Sequence, residues 1–203
     1  MIIGAVVLAA GKSERMRQNK LLLRLNGKRL IDNVLDGLAA ASVDEQVVVL
    51  GHNAEEVIEA LKPRLNRVKI TVNRDYEQGM TSSFKTGLQL LSHADAVFLV
   101  LGDEPIFDPK VLSLMIGQME KGRGEALIVS PIYKGKKGHP LLFHNRLFKE
   151  ILNLKNSQTV RDVVHRHADK LVTVEAPQWT IMDIDTPEDY NRIISLIKKG
   201  HIF

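Results

Sequence analysis

The amino-acid sequence predicts a layered α/β protein. Apolar runs of strand length alternate along the chain with longer segments whose apolar residues recur three and four positions apart, the pattern of helices packed on a sheet. Bulk composition agrees, because 44% hydrophobic and 26% charged residues form an average globular balance that suggests neither disorder nor a membrane class. At 203 residues the most economical arrangement is one compact domain with a substantial core.

The first run, IIGAVVLAA, could mimic the apolar part of a signal peptide. It lacks a basic leader and runs into charge without a small-residue cleavage pattern, so it reads as a buried strand. Further strands are expected at QVVVL, VKITV, DAVFLVL, ALIVS, HPLLF and KLVTVEA. Between them, residues 30–41, 54–61, 82–91, 109–120 and 187–198 carry helical periodicity. Pro109 and Pro187 sit where a first helical turn tolerates a missing N–H, with Asp108 and Thr186 placed to cap. YKGKKGHP, residues 133–140, is expected as a basic surface loop.

The chain has no cysteine, which removes disulfides and thiolate metal sites and mildly favours the cytoplasm. Any metal must be held by oxygen or imidazole. The net charge of +4 suits an anionic ligand or a basic surface. With 5% aromatic residues, stacking platforms for nucleic acid are poorly supplied, and no apolar run approaches a membrane span.

Ligands of open α/β sheets gather at the carboxyl ends of strands. LAAGKSERMRQNK, residues 8–20, follows the first strand there. Ala9, Ala10 and Gly11 let the backbone approach a ligand, successive N–H groups can form an anion-binding concavity, and Arg15 and Lys20 supply charge to a triphosphate. The spacing is neither GxxxxGK[ST] nor GxGxxG, and an ordinary strand-to-helix connection with solvated charges is the competing reading.

LGDEP, residues 101–105, closes the DAVFLVL run and puts Asp103 at the same edge, as a ligand for a hard cation such as Mg²⁺ or as a turn residue. In MDIDTPEDY, residues 182–190, Asp183 and Asp185 are two apart and would face one side of a strand, offering a second carboxylate. The following Thr-Pro-Glu-Asp is also a good helix start. In NRDYEQGMTSSFKTGL, residues 73–88, Gly79 precedes a helix expected near Ser82; Thr81, Ser82 and Ser83 read as N-caps whose exposed groups could touch a nucleotide or sugar. The seven histidines show no HExxH spacing, and His165 and His167 fit a solvated helix end; His139, between Gly138 and Pro140, could touch a phosphate.

Taken in order, LAAGKSERM with Lys20, GMTSSF, GDEP, GHPLLF and DIDTPEDY resemble the nucleotidyltransferases of the molybdenum-cofactor cytidylyltransferase type over nearly the whole chain. The resemblance implies a three-layer α/β/α, Rossmann-like fold of the nucleotide-diphospho-sugar transferase kind, with a mainly parallel mixed sheet. Residues 1–203 would then be a single nucleotidyltransferase domain, nucleotide-binding in its N-terminal half and acceptor-binding in its C-terminal half. The implied activity is Mg²⁺-dependent transfer of a nucleoside monophosphate to a phosphorylated acceptor, releasing pyrophosphate.

By position, Leu8, Ala9, Ala10, Gly11 and Ser13 would line the nucleotide, Arg15 and Lys20 would hold the triphosphate, and Gly79, Met80 and Ser83 would sit near base and ribose. Asp103 and Asp185 would hold the metal, with Asp183 a competitor, and Gly138, His139, Pro140 and Arg161 would face the acceptor. Guanylyltransferase relatives read LAGG where this chain reads LAAG, so Ala10 points to CTP rather than GTP. Molybdopterin is the expected acceptor and a molybdenum hydroxylase apo-enzyme a possible recipient. Two departures stand out: Arg17 follows Met16 where the family often has glycine, and NSQTVRDVV keeps only Arg161 of a Gly-Asp…Arg pattern. The acceptor therefore need not be standard molybdopterin. Transfer to a sugar or polyol phosphate and a non-catalytic cofactor carrier are the alternatives.

Overall fold

The computed structural model describes residues 1–16, 18–104, 108–122 and 125–199. Its strands are β1 (Ile3–Ala9), β2 (Arg24–Leu25), β3 (Lys28–Arg29), β4 (Glu45–Leu50), β5 (Lys69–Val72), β6 (Ala96–Leu101), β7 (Ile128–Tyr133), β8 (Lys136–Lys137), β9 (Leu141–His144) and β10 (Leu171–Glu175). The helices are α1 (Leu30–Ala40), α2 (Ala54–Leu61), α3 (Met80–Gln89), α4 (Pro109–Lys121), α5 (Phe148–Leu152), α6 (Val160–Arg166) and α7 (Pro187–Lys198).

The main sheet runs β10–β7–β9–β6–β1–β4–β5, with β8 bonded to β7, and β2 and β3 form a separate hairpin. β1 pairs in parallel with β4 and β6, β4 with β5, and β7 with β10; β9 alone is antiparallel between β6 and β7 in that order. The sheet is therefore mixed and mainly parallel.

Period-two alternation along β1 divides the core into two layers. Ile3, Ala5, Val7 and Ala9 pack on the side that holds Leu35 of α1, Val57 of α2, Leu112 of α4 and Ile193 of α7. Val6 packs on the other side with Phe84 of α3, Ile151 of α5 and Val163 of α6. Helices on both faces make the three-layer α/β/α architecture.

Every expected apolar run lies in a strand, and the five expected helices form. Four local expectations change. The helix expected near Ser82 begins at Met80 with Gly79 (φ 97°) at its N-cap, so Thr81, Ser82 and Ser83 lie inside it and none caps it. There the Ser82 hydroxyl contacts the Gly79 carbonyl oxygen at 2.8 Å, while Asn73 donates to the Ser82 and Ser83 hydroxyls. The segment holding Asp183 and Asp185 is irregular, not a strand. Residues 133–140 are not an open loop, because Lys136–Lys137 fold back onto β7 as β8. α5, α6 and the β2–β3 hairpin were not expected; they are too short for periodicity to register. Asp108 caps α4, as its place before Pro109 predicts. No helix among the described residues is long and apolar enough to cross a membrane.

Candidate active site

Parallel pairing of β1 with β4 and β6 aligns their carboxyl ends, Leu8 opposite Leu101 and Ala9 opposite Leu50. The loops that leave those ends share one rim, and the Gly102 amide donates to the Leu8 carbonyl at 2.9 Å. A cleft of about 400 Å³ opens there, lined by Leu8, Ala9, Ala10, Gly11, Lys12, Ser13, Lys20, Leu21, Tyr76, Glu77, Gly79, Met80, Ser83, Leu101 and Asp103. A side-chain carbon built on Gly11 would meet nothing within 4 Å. Nothing among the described residues requires glycine at that position.

The loop after β1 is held by its own residues. Buried Met16 and Leu21 anchor it in the core, and the Asn19 side chain accepts the Leu21 amide at 3.2 Å, starting a tight turn at Lys20. Ser13 takes a positive φ of 51°, and its hydroxyl accepts the Lys20 amide at 3.4 Å. Ser13 thus positions Lys20 as well as lining the cleft. Arg17 lies outside the described residues.

The Lys20 ammonium contacts an Asp103 carboxylate oxygen, Asp185 Oδ1 at 3.2 Å and the Ile184 carbonyl at 3.3 Å. Arg15 Nη2 reaches Asp185 Oδ2 at 2.8 Å. Burial works against the charge on Lys20, but Asp103 and Asp185 outweigh it and raise the ammonium above its ordinary pKa. A neighbouring cavity of about 320 Å³, lined by Gly11, Lys12, Ser13, Glu14, Arg15, Lys20 and Asp185, continues the cleft along these charges.

Beneath them lies an acidic floor. Glu104 is 4% exposed, and among the described residues neither of its oxygens has a hydrogen-bond partner. Burial first, and the Asp103 charge second, push its carboxyl well above the usual range. Partial burial together with Asp103 and Asp185 also raises Asp183. Beyond Asp185 a cavity of about 440 Å³ is lined by Gln178, Ile181, Met182, Asp183, Asp185, Asp189, Arg192 and Leu196.

Gly138, His139 and Pro140 are wedged against the turn before this cavity. The Gly138 amide donates to Pro131 at 3.0 Å, the His139 amide donates to Thr180 at 2.9 Å, and a Cβ on Gly138 would collide with the Thr180 carbonyl. The His139–Pro140 peptide is cis. His139 Nδ1 is buried without a hydrogen-bond partner among the described residues. Burial lowers the imidazole pKa and Arg161 of α6 adds to that, against the opposing pull of Asp183 and Asp103.

The structure therefore gathers Leu8, Ala9, Ala10, Gly11, Ser13, Lys20, Gly79, Met80, Ser83 and Asp103 around one cleft, and sets Arg15 and Asp185 beside it. His139 reaches the same floor electrostatically, whereas Arg161 lines none of these cavities. Sequence reasoning missed Lys12, Leu21, Tyr76, Glu77 and Leu101. Lys12 and Glu77 pair at 2.7 Å, joining the two loops that line the cleft. No motif marks that pair, since it joins residues far apart in the chain. Glu104 stands next to Asp103 in GDEP, and no sequence signal gives it a role of its own.

Asp103 and Asp185 are hard oxygen donors that converge on one ammonium. Among the described residues no group of three or more His, Cys, Asp or Glu could hold a metal by itself. Two carboxylates without a full protein cage fit Mg²⁺ or Mn²⁺, which complete their shells with phosphate oxygens and water.

Comparison with known proteins gives the same architecture. The chain is 28% identical to Rv0371c from Mycobacterium tuberculosis H37Rv, with a TM-score of 0.81 over 96% of this chain and 98% of that one. A nucleotidyl transferase from Methanothermobacter thermautotroptrophicus matches at 26% identity and TM-score 0.81, over 98% of this chain and 99% of its own. In sequence the chain is 29% identical over 146 residues to the bifunctional protein GlmU of Listeria monocytogenes, covering 70% of this chain but only 31% of that protein. The family description that matches, the MobA-like NTP transferase domain, spans residues 5–171, and the chain belongs to that family.

Proposed function

We propose that this protein is a metal-dependent nucleotidyltransferase that transfers CMP from CTP to a phosphorylated acceptor, molybdopterin in the first instance, with release of pyrophosphate. The observation that carries the reading is the convergence of two cations, Arg15 and Lys20, and two carboxylates, Asp103 and Asp185, at the lip of a cleft. That set matches the charge of a metal-bound triphosphate, and the open space at Gly11 leaves room for backbone approach. The GlmU and nucleotidyl transferase likenesses support the reaction class, and a solved structure of Rv0371c, 28% identical, is a complex with manganese.

In this reading Ala9, Ala10 and Gly11 present backbone to the nucleotide, and Gly79, Met80 and Ser83 flank base and ribose. Ala10 narrows the base pocket in favour of a pyrimidine. Arg15 and Lys20 hold the triphosphate and neutralise charge that develops on its oxygens. Asp103 and Asp185 would hold the divalent metal, Mg²⁺ in the cell, which when bound supplies charge neutralisation on phosphate oxygens. An acceptor phosphate oxygen forms a bond to the α-phosphorus, the bond from that phosphorus to the bridging oxygen breaks, and pyrophosphate leaves with the electron pair. The acceptor phosphate is already anionic, so the chain's task is to position it. Gly138, His139, Pro140 and Arg161, with the cavity beyond Asp185, form the acceptor side.

The departure at NSQTVRDVV favours a second reading in which the acceptor is a sugar or polyol phosphate. Purified protein incubated with each NTP, Mg²⁺ and either molybdopterin or a panel of phosphorylated polyols separates the two by pyrophosphate release. Tight cofactor binding with no release from any mixture would replace both with a carrier role.

A further inference from the structure

The cation that Asp103 and Asp185 share belongs to the protein. The Lys20 ammonium sits among an Asp103 oxygen, Asp185 Oδ1 and the Ile184 carbonyl oxygen, three oxygens around one positive charge. Its side chain is 18% exposed, and its backbone is fixed on either side by Ser13 and by the turn that Asn19 starts. Arg15 occupies the remaining Asp185 oxygen. Both carboxylates are thus already neutralised, and a free divalent cation would have to drive the ammonium off three oxygens without bringing any anionic group to receive it.

A metal already chelated by a triphosphate changes that exchange. It brings anionic oxygens along with the cation, so Lys20 and Arg15 can move onto phosphate as the metal takes the carboxylates, and no charge is stranded. We infer that Lys20 is the resident cation of the Asp103–Asp185 pair, and that the ligand this site takes is a divalent metal–nucleoside triphosphate chelate rather than the free metal. This rests on the nucleotidyltransferase reading for the nucleotide, but it concerns what this chain's own lysine does before transfer. Coupling of this kind is reciprocal, so metal and nucleotide raise each other's affinity by one common factor.

The test is Mn²⁺ binding, followed by electron paramagnetic resonance and calorimetry, on the full chain and on Lys20→Met and Lys20→Gln, alone and with CTP, GTP, ATP or UTP. The full chain should bind free Mn²⁺ weakly and gain about tenfold or more in Mn²⁺ affinity from its nucleotide, within the usual range of coupling. Either lysine variant should bind free Mn²⁺ about tenfold more tightly than the unaltered protein and lose most of the gain from nucleotide. Arg15→Met, which frees one oxygen of one carboxylate, should show a smaller rise. Circular dichroism checks that the variants fold, and two replacements of different polarity guard against one that does not. Folded lysine variants with no gain for free Mn²⁺, in a protein that still binds Mn²⁺ with nucleotide, would overturn the inference and leave the transferase reading standing. If the unaltered protein binds no nucleotide with Mn²⁺ at all, both fall.

Discussion

Glu104 follows Asp103 with both oxygens out of water and without a hydrogen-bond partner among the described residues. Burying a carboxylate unpaired costs free energy, and the adjacent Asp103 charge adds to the cost. Glu104→Gln keeps the shape and cannot ionise, so at pH 7 it removes the cost that burial places on this carboxyl and should raise stability by about 1 kcal/mol, or roughly 2–4 °C in Tm for a chain of this size. A melting temperature unchanged or lower at pH 7 would mean that Glu104 has a partner after all. Asp103 behaves differently, because it meets Lys20 at the rim. Asp103→Ala should leave the circular dichroism spectrum intact while cutting metal-dependent pyrophosphate release by on the order of 10²–10³-fold, the scale of losing a preorganised electrostatic contact. Turnover near that of the unaltered protein would remove Asp103 from the proposed site. Sequence alone could suggest Asp103, because an acid right after a buried strand has few places to go. It could not separate Glu104, since burial decides that role and adjacent acids in a turn look alike.

At the level of elements, α7 both supports the fold and aims Asp185. The Thr186 hydroxyl accepts the Asp189 amide at 3.2 Å and the Asp189 carboxylate accepts the Thr186 amide at 3.1 Å, a reciprocal cap. The same carboxylate accepts the Asp185 amide at 3.4 Å, so the cap restrains the residue proposed as metal ligand. Asp189→Ala should therefore lower stability by about 1 kcal/mol and also weaken Mn²⁺ binding in the presence of nucleotide. Loss of stability with unchanged Mn²⁺ affinity would show that Asp185 is placed without the cap. This helix start was legible because Thr-Pro-Glu-Asp acts locally. The start of α3 was not: Thr81, Ser82 and Ser83 are good caps by type, yet Gly79 starts the helix two residues earlier, the Ser82 and Ser83 hydroxyls bond to the preceding loop, and the Thr81 hydroxyl accepts the Val160 amide. Elements as short as α5, α6, β2 and β3 leave no periodic trace; α6 and the hairpin instead carry local signals, the Thr159–Asp162 capping box and the Asn26-Gly27 turn, which periodicity does not register.

Across the whole molecule, alternation of apolar runs and helical segments was enough to read an α/β sandwich, and the edge rule for strands was enough to bring the loops after β1 and β6 together. The direction of β9 was hidden, because a short apolar strand reads the same in either orientation and only its place between β6 and β7 shows that it is reversed. The surface adds a property spread over the whole fold. Burial opposes ionisation of Asp36, but Arg64 and Lys28 overcome it and hold its pKa low; Lys69 and His93 lower Glu45; and His167 and Arg166 lower Glu150 against its burial. In each case the folded pKa lies below the unfolded one, so between the two the unfolded chain binds more protons and stability rises with pH. The contribution is complete above the unfolded values near pH 4 and is lost as pH falls through the folded ones. These pairs should thus make melting temperature fall below about pH 4, whereas Glu104, whose carboxyl is raised in the fold, contributes with the opposite sign and costs stability as pH rises above its unfolded value. Asp36→Asn removes one of these carboxylates, and as a partly exposed ion pair it should cost about 0.5 kcal/mol at pH 7 and almost nothing near pH 3. An equal loss of Tm at both pH values would mean that Asp36 stabilises through packing on α1, and that the acid limb has another source.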